Sequence, residues 1–300
     1  DLMFGTLLLL SNGCSLNYPR YFIIKNFACK LFFCKKANLF PRIFINISDS
    51  MFAGCGMETN RIVFFDSGVG GLTLLREFLR RYPWAECAYF GDNENAPYGN
   101  RSEAEICRLA AGAFEKIALL SPRAAVIACN TVTADCAEAL RAEYSFPIVG
   151  VEPAVRPAAA AAGQGRILIL ATRATLASAR VRELIRKHRG NCSVETYSPA
   201  ALAGEIERNI FDLGCIRLSD FLPRGEYAAV VLGCTHYIFL RDRIAGYYGC
   251  PVFDGNIGTA DHLARIANIC SKNVSKNHIS VPKFFGNAAK LNQSVYNALG

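Results

Sequence analysis

The chain has 300 residues, of which 52% are hydrophobic, and this length and composition allow two α/β domains or one large one. The formal net charge of +8 lies at the chain ends, because residues 61–269 hold 23 basic and 22 acidic side chains. This near-neutral body has no stripe of Lys and Arg with interleaved aromatic residues, so the composition gives no support for a nucleic-acid partner.

The 13 cysteines contain no CxxC pair, which excludes the zinc-ribbon and thioredoxin signatures. We therefore expect reduced thiols in a cytoplasmic protein. The longest early apolar run, residues 7–10, is too short to span a bilayer and has no basic segment before it, so we expect no membrane partner. Residues 1–56 lack helical or strand periodicity. We expect this extension to be disordered or not translated natively, with Met51 or Met57 as the natural first residue.

The first predicted element is a buried strand, ArgIleValPhePhe at 61–65, which AspSerGlyValGlyGly and an amphipathic helix follow. A Walker lysine is missing, and Thr73 breaks the GxGxxG pattern, so this is a poor nucleotide motif. The glycine turn nevertheless frees backbone N–H groups that suit a small carboxylate. Asp66, at the strand tip, could hold an ammonium group, act on a thiol or cap the turn.

A second strand, AlaTyrPheGlyAsp at 88–92, ends in a polar loop that contains Tyr98 and Gly99. The phenol and the bare backbone there could line a pocket, although Tyr98 taken alone is more typical of a packing residue. Ser102 and Glu105 have the S-x-x-E spacing of a capping box, which predicts that a helix begins there.

Cys129 follows the third buried run, AlaAlaValIleAla at 124–128, and Asn130 and Thr131 come next at the predicted start of a helix. A helix N-terminus offers free N–H groups to an anion and lowers the pKa of a thiol. Cys136, two helical turns later, is interpreted as core. Glu152 ends the following strand and is either a capping group or a proton-handling partner.

The pattern then repeats with a period of 105 residues: ArgIleLeuIleLeu at 166–170 matches 61–65, and Cys234 lies 105 positions after Cys129. This period predicts two copies of one α/β unit, each with a cysteine at a strand end. His236, two residues after Cys234, is either its proton partner or a core residue. A metal site would need further ligands that no spacing supplies, so we expect no metal.

Two equivalent cysteines indicate a reaction with two equivalent faces, such as inversion of a stereocentre by proton transfer. The usual cofactor for an amino-acid α-proton is pyridoxal phosphate on a lysine. Residues 61–269 contain only Lys116, in an amphipathic helix, and Lys187, in a basic surface run, so neither is typical of a Schiff-base lysine and we expect no cofactor.

Five motifs occur in the order and spacing of one family: DSGVGG, GDNENAPYG, ACNT, GVEPA and GCTHY. Through them the sequence resembles the glutamate racemases, cofactor-independent enzymes that supply D-glutamate to peptidoglycan. The resemblance covers residues 60–260 and implies that Cys129 and Cys234 are the acid/base catalysts and that the protein is a homodimer. It implies Asp66, Glu152 and His236 as assisting groups. The substrate contacts that it implies are Asp66, Ser67, Tyr98, Gly99, Asn130, Thr131, Thr235 and His236. Ile238 departs from the family, which usually has proline there.

The predicted fold class is α/β: two pseudo-duplicated three-layer α/β domains with mostly parallel sheets and the active site in the cleft between them. The predicted domains are residues 57–155 and 156–253, with 254–300 returning to the first. The predicted activity is racemisation of glutamate. Alternatives are a racemase of the same type for aspartate or another amino acid, and a non-catalytic small-acid binding protein; a thiol hydrolase would leave the second cysteine unexplained.

Overall fold

The computed structural model describes residues 60–269 and 279–299, which belong to one compact unit. The expectations for residues 1–56 and for most of the basic segment 271–283 lie outside the described residues. The strands are β1 (Ile62–Asp66), β2 (Cys87–Gly91), β3 (Ala124–Ile127), β4 (Ile148–Gly150), β5 (Arg166–Ala171), β6 (Ser193–Tyr197), β7 (Ala229–Gly233), β8 (Val252–Asp254) and β9 (Lys283–Gly286). The helices are α1 (Leu72–Arg81), α2 (Glu103–Ala118), α3 (Asn130–Glu143), α4 (Val155–Ala162), α5 (Arg173–Ala177), α6 (Ala179–His188), α7 (Leu202–Arg208), α8 (Arg241–Tyr248), α9 (Asn256–Ile266) and α10 (Ala289–Ala298).

The strands form two sheets in which every described pair is parallel. The first has the order β4-β3-β1-β2-β9 and the second the order β6-β5-β7-β8. Read from its other edge, the second sheet repeats the first four strands in the same order, β8-β7-β5-β6. The predicted duplication of one parallel unit is therefore confirmed by the topology.

Each sheet is buried between two helical layers. Successive residues of a strand point to opposite faces, and Ile62 and Phe64 pack with α1, α9 and α10 while Val63 and Phe65 pack with α2 and α3. In the second sheet, Leu168 and Leu170 pack with α7 and α8, and the alternate residues of β5 pack with α4 and α6. We call the first sheet with its helices the first lobe, and the second sheet with α4 to α8 the second lobe. The predicted three-layer α/β fold class is confirmed, whereas the exact domain boundaries stay predictions.

The elements that the sequence analysis missed or misjudged have simple physical causes. Strand β6 is half-exposed along its length, so it lacks the continuous apolar run that marks the buried parallel strands.

The expectation of reduced thiols is wrong for one pair, because Cys107 of α2 and Cys136 of α3 form a disulfide. Cys136 is buried, as expected for a core residue. Within residues 60–269 and 279–299, no helix has the length and apolar content needed to cross a membrane.

The last described strand returns to the first lobe, where β9 pairs with β2. Gly286 ends β9 with φ of +96°, and a Cβ added to it would overlap the carbonyl oxygen of Gly91. We expect Gly286→Ala to lower the free energy of unfolding by at least about 2 kcal/mol, because it adds both backbone strain and a clash. Urea denaturation measures this loss.

The matched control is Gly246→Ala in α8, where nothing among the described residues, apart from its chain neighbours and the backbone of its own helix, lies within 4 Å of the added Cβ. Alanine has the higher helix propensity, so this variant should equal the wild type or gain up to about 1 kcal/mol. Equal midpoints for both variants would contradict the role assigned to Gly286.

Candidate active site

The duplicated topology places two cysteines at equivalent strand ends. Cys129 follows β3 and is the N-cap residue of α3, and Cys234 follows β7 and opens a short 3₁₀ turn, Thr235–Leu240. The turn forms with Ile238 at the position where the resemblance expects proline. Both sulfur-bearing side chains are buried, with 5% and 6% of their surface exposed. Carboxyl ends of parallel strands are where α/β proteins build their sites.

A chain of hydrogen bonds links the two cysteine regions across the lobes. Asp66 is fully buried at the end of β1; one carboxylate oxygen accepts from the Gly68 backbone N–H at 2.8 Å and the other from Thr235 Oγ1 at 3.0 Å. Ser67 Oγ lies 3.5 Å from Cys129 Sγ. Asp66 thus caps the glycine turn, as one interpretation predicted, and also holds the residue that follows Cys234.

His236 joins Cys234 to a carboxylate that the sequence analysis missed. Its Nδ1 lies 3.8 Å from Cys234 Sγ, and its Nε2 lies 2.6 Å from Oε1 of Glu207, a residue of α7. The same Glu207 oxygen accepts the Val69 backbone N–H at 2.8 Å, so Glu207 bridges the second lobe to the glycine turn of the first. In sequence, Glu207 sits in LAGEIER, which looks like an ordinary solvated helix face.

Charge around His236 favours the imidazolium form. Burial alone lowers the pKa of His236, but the hydrogen bonds to Cys234 and Glu207 together outweigh burial and raise the pKa well above its usual value. Burial likewise acts to raise the pKa of Glu207, yet its hydrogen bond with His236 keeps that pKa below the usual range. The imidazolium is therefore held between the sulfur of Cys234 and the carboxylate of Glu207.

The opposite cysteine is in a different electrostatic state. Burial of its sulfur, followed by the charge of Asp66, raises the pKa of Cys129 to about 12, although the Val132 N–H and Ser67 act to lower it. The N–H of Val132 in the first turn of α3 acts to lower this pKa, as expected, but the loss of solvent outweighs it and the net shift is upward. At neutral pH Cys129 is therefore a thiol.

Three threonine hydroxyls form a second link between the lobes. Thr131 Oγ1, in the first turn of α3, lies 3.0 Å from Thr172 Oγ1 and 3.3 Å from Thr175 Oγ1. The two second-lobe hydroxyls are 2.8 Å apart, and all three residues are buried. Such a cluster can reorient its O–H groups to donate to a carboxylate. The sequence signal for Thr172 and Thr175 was present, since the repeat replaces the acid and glycines of the first copy with hydroxyls.

Some of the remaining predicted site residues lie beside the cysteines or at the contact between the lobes, and others have a structural role. Asn130 is buried beside Cys129. Tyr98 packs in the first-lobe core and its hydroxyl donates to Asp92 at 2.6 Å, so its phenol has the packing role that the residue alone suggested. Gly99 packs against Thr172 of the second lobe. The structure does not join Glu152 to either cysteine: its carboxylate forms an ion pair with Arg180 at 2.6 Å, and the carboxylate that contacts His236 is that of Glu207.

Among the described residues, no three His, Cys, Asp or Glu side chains are grouped as a metal site would require. The charged groups beside the two cysteines are Asp66, Glu207 and His236, and each of them is hydrogen-bonded to other protein groups.

Buried Asp66 makes a testable contribution to the pH dependence of stability. Burial, which dominates over the charge of His236, raises the pKa of Asp66 from 3.8 to about 6. The folded state thus binds a proton that the unfolded state releases, so Asp66 destabilises the fold above pH 6 and this penalty disappears toward pH 4. As pH falls through this window, the free energy of unfolding of the wild type should rise by about 3 kcal/mol relative to that of Asp66→Asn.

Urea denaturation of both proteins across this pH range gives the difference, and groups common to both cancel. A difference that is constant with pH, or that grows as pH rises, would contradict the raised pKa of Asp66.

Comparisons with known proteins agree with this geometry. The profile of the Asp/Glu/hydantoin racemase family matches residues 81–263. A glutamate racemase of Clostridium novyi is 37% identical over 214 residues, which cover 68% of this chain and 82% of that protein.

Two solved glutamate racemases have the same fold. The one from Bacillus anthracis gives a TM-score of 0.67 at 27% identity and covers 81% of this chain and 93% of its own. The one from Escherichia coli, solved with L-glutamate and an activator, gives 0.67 at 28% identity and covers 80% and 93%.

Proposed function

The chain belongs to the glutamate racemases of the Asp/Glu/hydantoin racemase family, and we propose that Cys129 and Cys234 are the two bases with which it interconverts L- and D-glutamate. This assignment rests on one observation: each copy of the duplicated unit has a buried cysteine at the same strand end. Residues next to the two cysteines are also hydrogen-bonded to each other across the lobes.

The proposed reaction moves one proton at a time. A cysteine thiolate takes the α-proton of glutamate and becomes a thiol, while the electron pair of the broken C–H bond stays on Cα and spreads into the α-carboxylate. The thiol of the opposite cysteine then gives its proton to the other face of the planar carbon and becomes the thiolate. The C–H bond is restored with inverted configuration, and the two cysteines have exchanged protonation states.

The residues around the cysteines supply what this reaction needs. The carbanion is stabilised by preorganised donors in a site without bulk water. We assign substrate contacts to Ser67, Asn130, Thr131 and Thr235, to the backbone at Tyr98 and Gly99, and to the hydroxyls of Thr172 and Thr175. We assign Asp66 to hold the ammonium group, and His236 with Glu207 to assist proton transfer at Cys234; the hydrogen bonds of Asp66 with Thr235 and of His236 with Cys234 and Glu207 support this assignment. Glu152, with its Arg180 partner, is left out of the mechanism.

The test is racemisation by the purified protein without added pyridoxal phosphate or metal. In deuterium oxide, L-glutamate should yield D-glutamate that carries deuterium at Cα. A panel with aspartate and other amino acids distinguishes the nearest alternative, a racemase of the same type with another substrate. Binding of glutamate without exchange of the α-proton would instead support a small-acid binding protein and overturn the proposal.

Two further properties follow from the resemblance to glutamate racemases. We propose that the protein acts in the cytoplasm, where the D-glutamate that it forms is available for peptidoglycan synthesis, and that two copies form a homodimer. Light scattering coupled to size-exclusion chromatography tests the second proposal, and a monomer at working concentrations would overturn it.

A further inference from the structure

Both cysteines are buried while the lobes are arranged as described. Gly99 of the first lobe packs so closely on Thr172 of the second that a Cβ at position 99 would overlap the threonine methyl group. Thr172 is also bonded to Thr131 and Thr175, and all of these residues are buried. Opening of the contact between Gly99 and Thr172 would give glutamate a route to the sulfurs.

A cleft of about 390 Å³ lies directly outside this contact, and both lobes contribute to its walls. Its volume is within the range of pockets that hold small molecules. Gly99, Arg101, Glu103 and Asp135 line it from the first lobe, and Arg173 and Ser178 from the second. Asp135 is one helical turn after Thr131, and Arg173 directly follows Thr172, so the threonine cluster separates this cleft from the cysteines.

The charges of the cleft are divided between its walls. The guanidinium of Arg101 already binds Glu105 and the Asn95 carbonyl oxygen. Arg173 is exposed, and it makes no hydrogen bond or ion pair with the residues that the structure describes. The first-lobe wall has the carboxylates of Glu103 and Asp135.

The Asp135 carboxylate is half-buried. Burial, followed by the charge of Glu103, raises its pKa to about 6, so it still carries its charge at neutral pH. This division of charge suits glutamate, which has an ammonium group and a carboxylate on Cα and a second carboxylate at the end of its side chain. The acidic wall attracts the ammonium group, and the free guanidinium attracts a carboxylate, for which a planar fork of N–H donors is well suited.

We propose that this cleft is the vestibule through which the amino-acid substrate enters and that Arg173 captures a substrate carboxylate there before the contact between Gly99 and Thr172 opens. The inference rests on the proposed function, since it takes glutamate as the substrate. Arg173 is a positioning residue: it acts before the proton transfers and touches none of the reacting groups in the closed site. Alternatively, Arg173 is one of many solvated surface charges.

The two roles predict different kinetics. Charges at the mouth of a cleft raise the rate of substrate capture, and salt screens this effect. At low ionic strength, Arg173→Gln should lower kcat/KM by about tenfold through a higher KM, with kcat within about twofold of the wild type. The deficit should shrink as sodium chloride is added, and Arg173→Lys should restore most of the loss.

The matched control is Arg224→Gln, because Arg224 is also exposed and precedes β7 at the end of the strand opposite Cys234. Both variants remove one positive charge, so a difference between them reports position and not net charge. Circular dichroism and the urea midpoint check that each variant is folded.

The outcomes separate this inference from the proposed function. If the wild type racemises glutamate and Arg173→Gln behaves as Arg224→Gln does, the vestibule is wrong and the racemase assignment stands. A fall in kcat with unchanged KM and no salt dependence would also overturn it, because Arg173 would then act in the closed site. A wild-type protein that does not racemise glutamate overturns both.

Discussion

Replacing either cysteine with alanine is expected to reduce racemisation of glutamate by at least about 1000-fold. Each variant lacks either the base that removes the α-proton or the acid that restores it on the other face, so inversion cannot be completed. Initial rates measured by polarimetry in both directions give the size of the loss. The effect should be the same for Cys129→Ala and Cys234→Ala, because each full conversion uses both sulfurs.

Proton exchange without inversion should survive in these variants and should differ between them. The remaining cysteine can remove a proton from the enantiomer whose Cα–H faces it and return a solvent proton to the same face. In deuterium oxide, Cys129→Ala and Cys234→Ala should therefore label opposite enantiomers of glutamate. Mass spectrometry of each recovered enantiomer shows this directly.

Cys215→Ala is the matched control, since this thiol is exposed and its sulfur contacts only the Asp212 carbonyl oxygen among its described partners. It should racemise at the wild-type rate. Normal racemisation by either Cys129→Ala or Cys234→Ala would refute the mechanism with two bases, and labelling of the same enantiomer by both would refute their opposite placement.

The parts of the fold that sequence reasoning predicted are those with a strong local signal. Buried parallel strands are continuous apolar runs, so β1, β3, β5 and β7 could be placed from composition alone. The period of 105 residues then required that the same strand of each copy end in a cysteine. Strand β6 was not predicted, because a half-exposed edge strand has a mixed pattern of polar and apolar residues.

The parts of the candidate site that were missed depend on tertiary contacts. Nothing within α7 distinguishes Glu207 from its neighbour Glu205, and only the packing of the lobes brings one of them to His236. Glu152 was open between a capping group and a proton-handling partner, and the resemblance implied it as an assisting group, yet Arg180 of α6 pairs with it. The pKa of Cys129 was misjudged for the same reason, since burial depends on the whole fold and not on the local helix terminus.

These contacts make the two halves of the site chemically unequal. Cys129 lies beside the carboxylate of Asp66 and is held as a thiol, whereas Cys234 lies beside an imidazolium that Glu207 supports. The proton transfers that we propose would therefore involve different partners on the two faces. The ion pair of His236 with Glu207 holds a positive charge beside Cys234, although the carboxylate does not touch the sulfur.

Glu207→Gln is therefore expected to lower kcat/KM by about 10- to 100-fold. Loss of the carboxylate lowers the pKa of His236, because the negative charge and the hydrogen bond that raised this pKa are gone. The limb of the pH–rate profile that reports loss of the imidazolium proton should move to lower pH, which a purely structural role of Glu207 would not cause. Profiles of kcat/KM against pH for L- and D-glutamate measure both effects.

The control is Glu205→Gln on the same helix, where the carboxylate pairs with Arg208 and not with His236. It should keep both the wild-type rate and the wild-type profile. An unshifted pH limb in Glu207→Gln, even with a lower rate, would mean that Glu207 only holds the glycine turn through Val69 and does not set the charge of His236. A shifted limb would show that Glu207, a second-lobe residue that also contacts the first lobe through Val69, sets the charge of the imidazole beside Cys234.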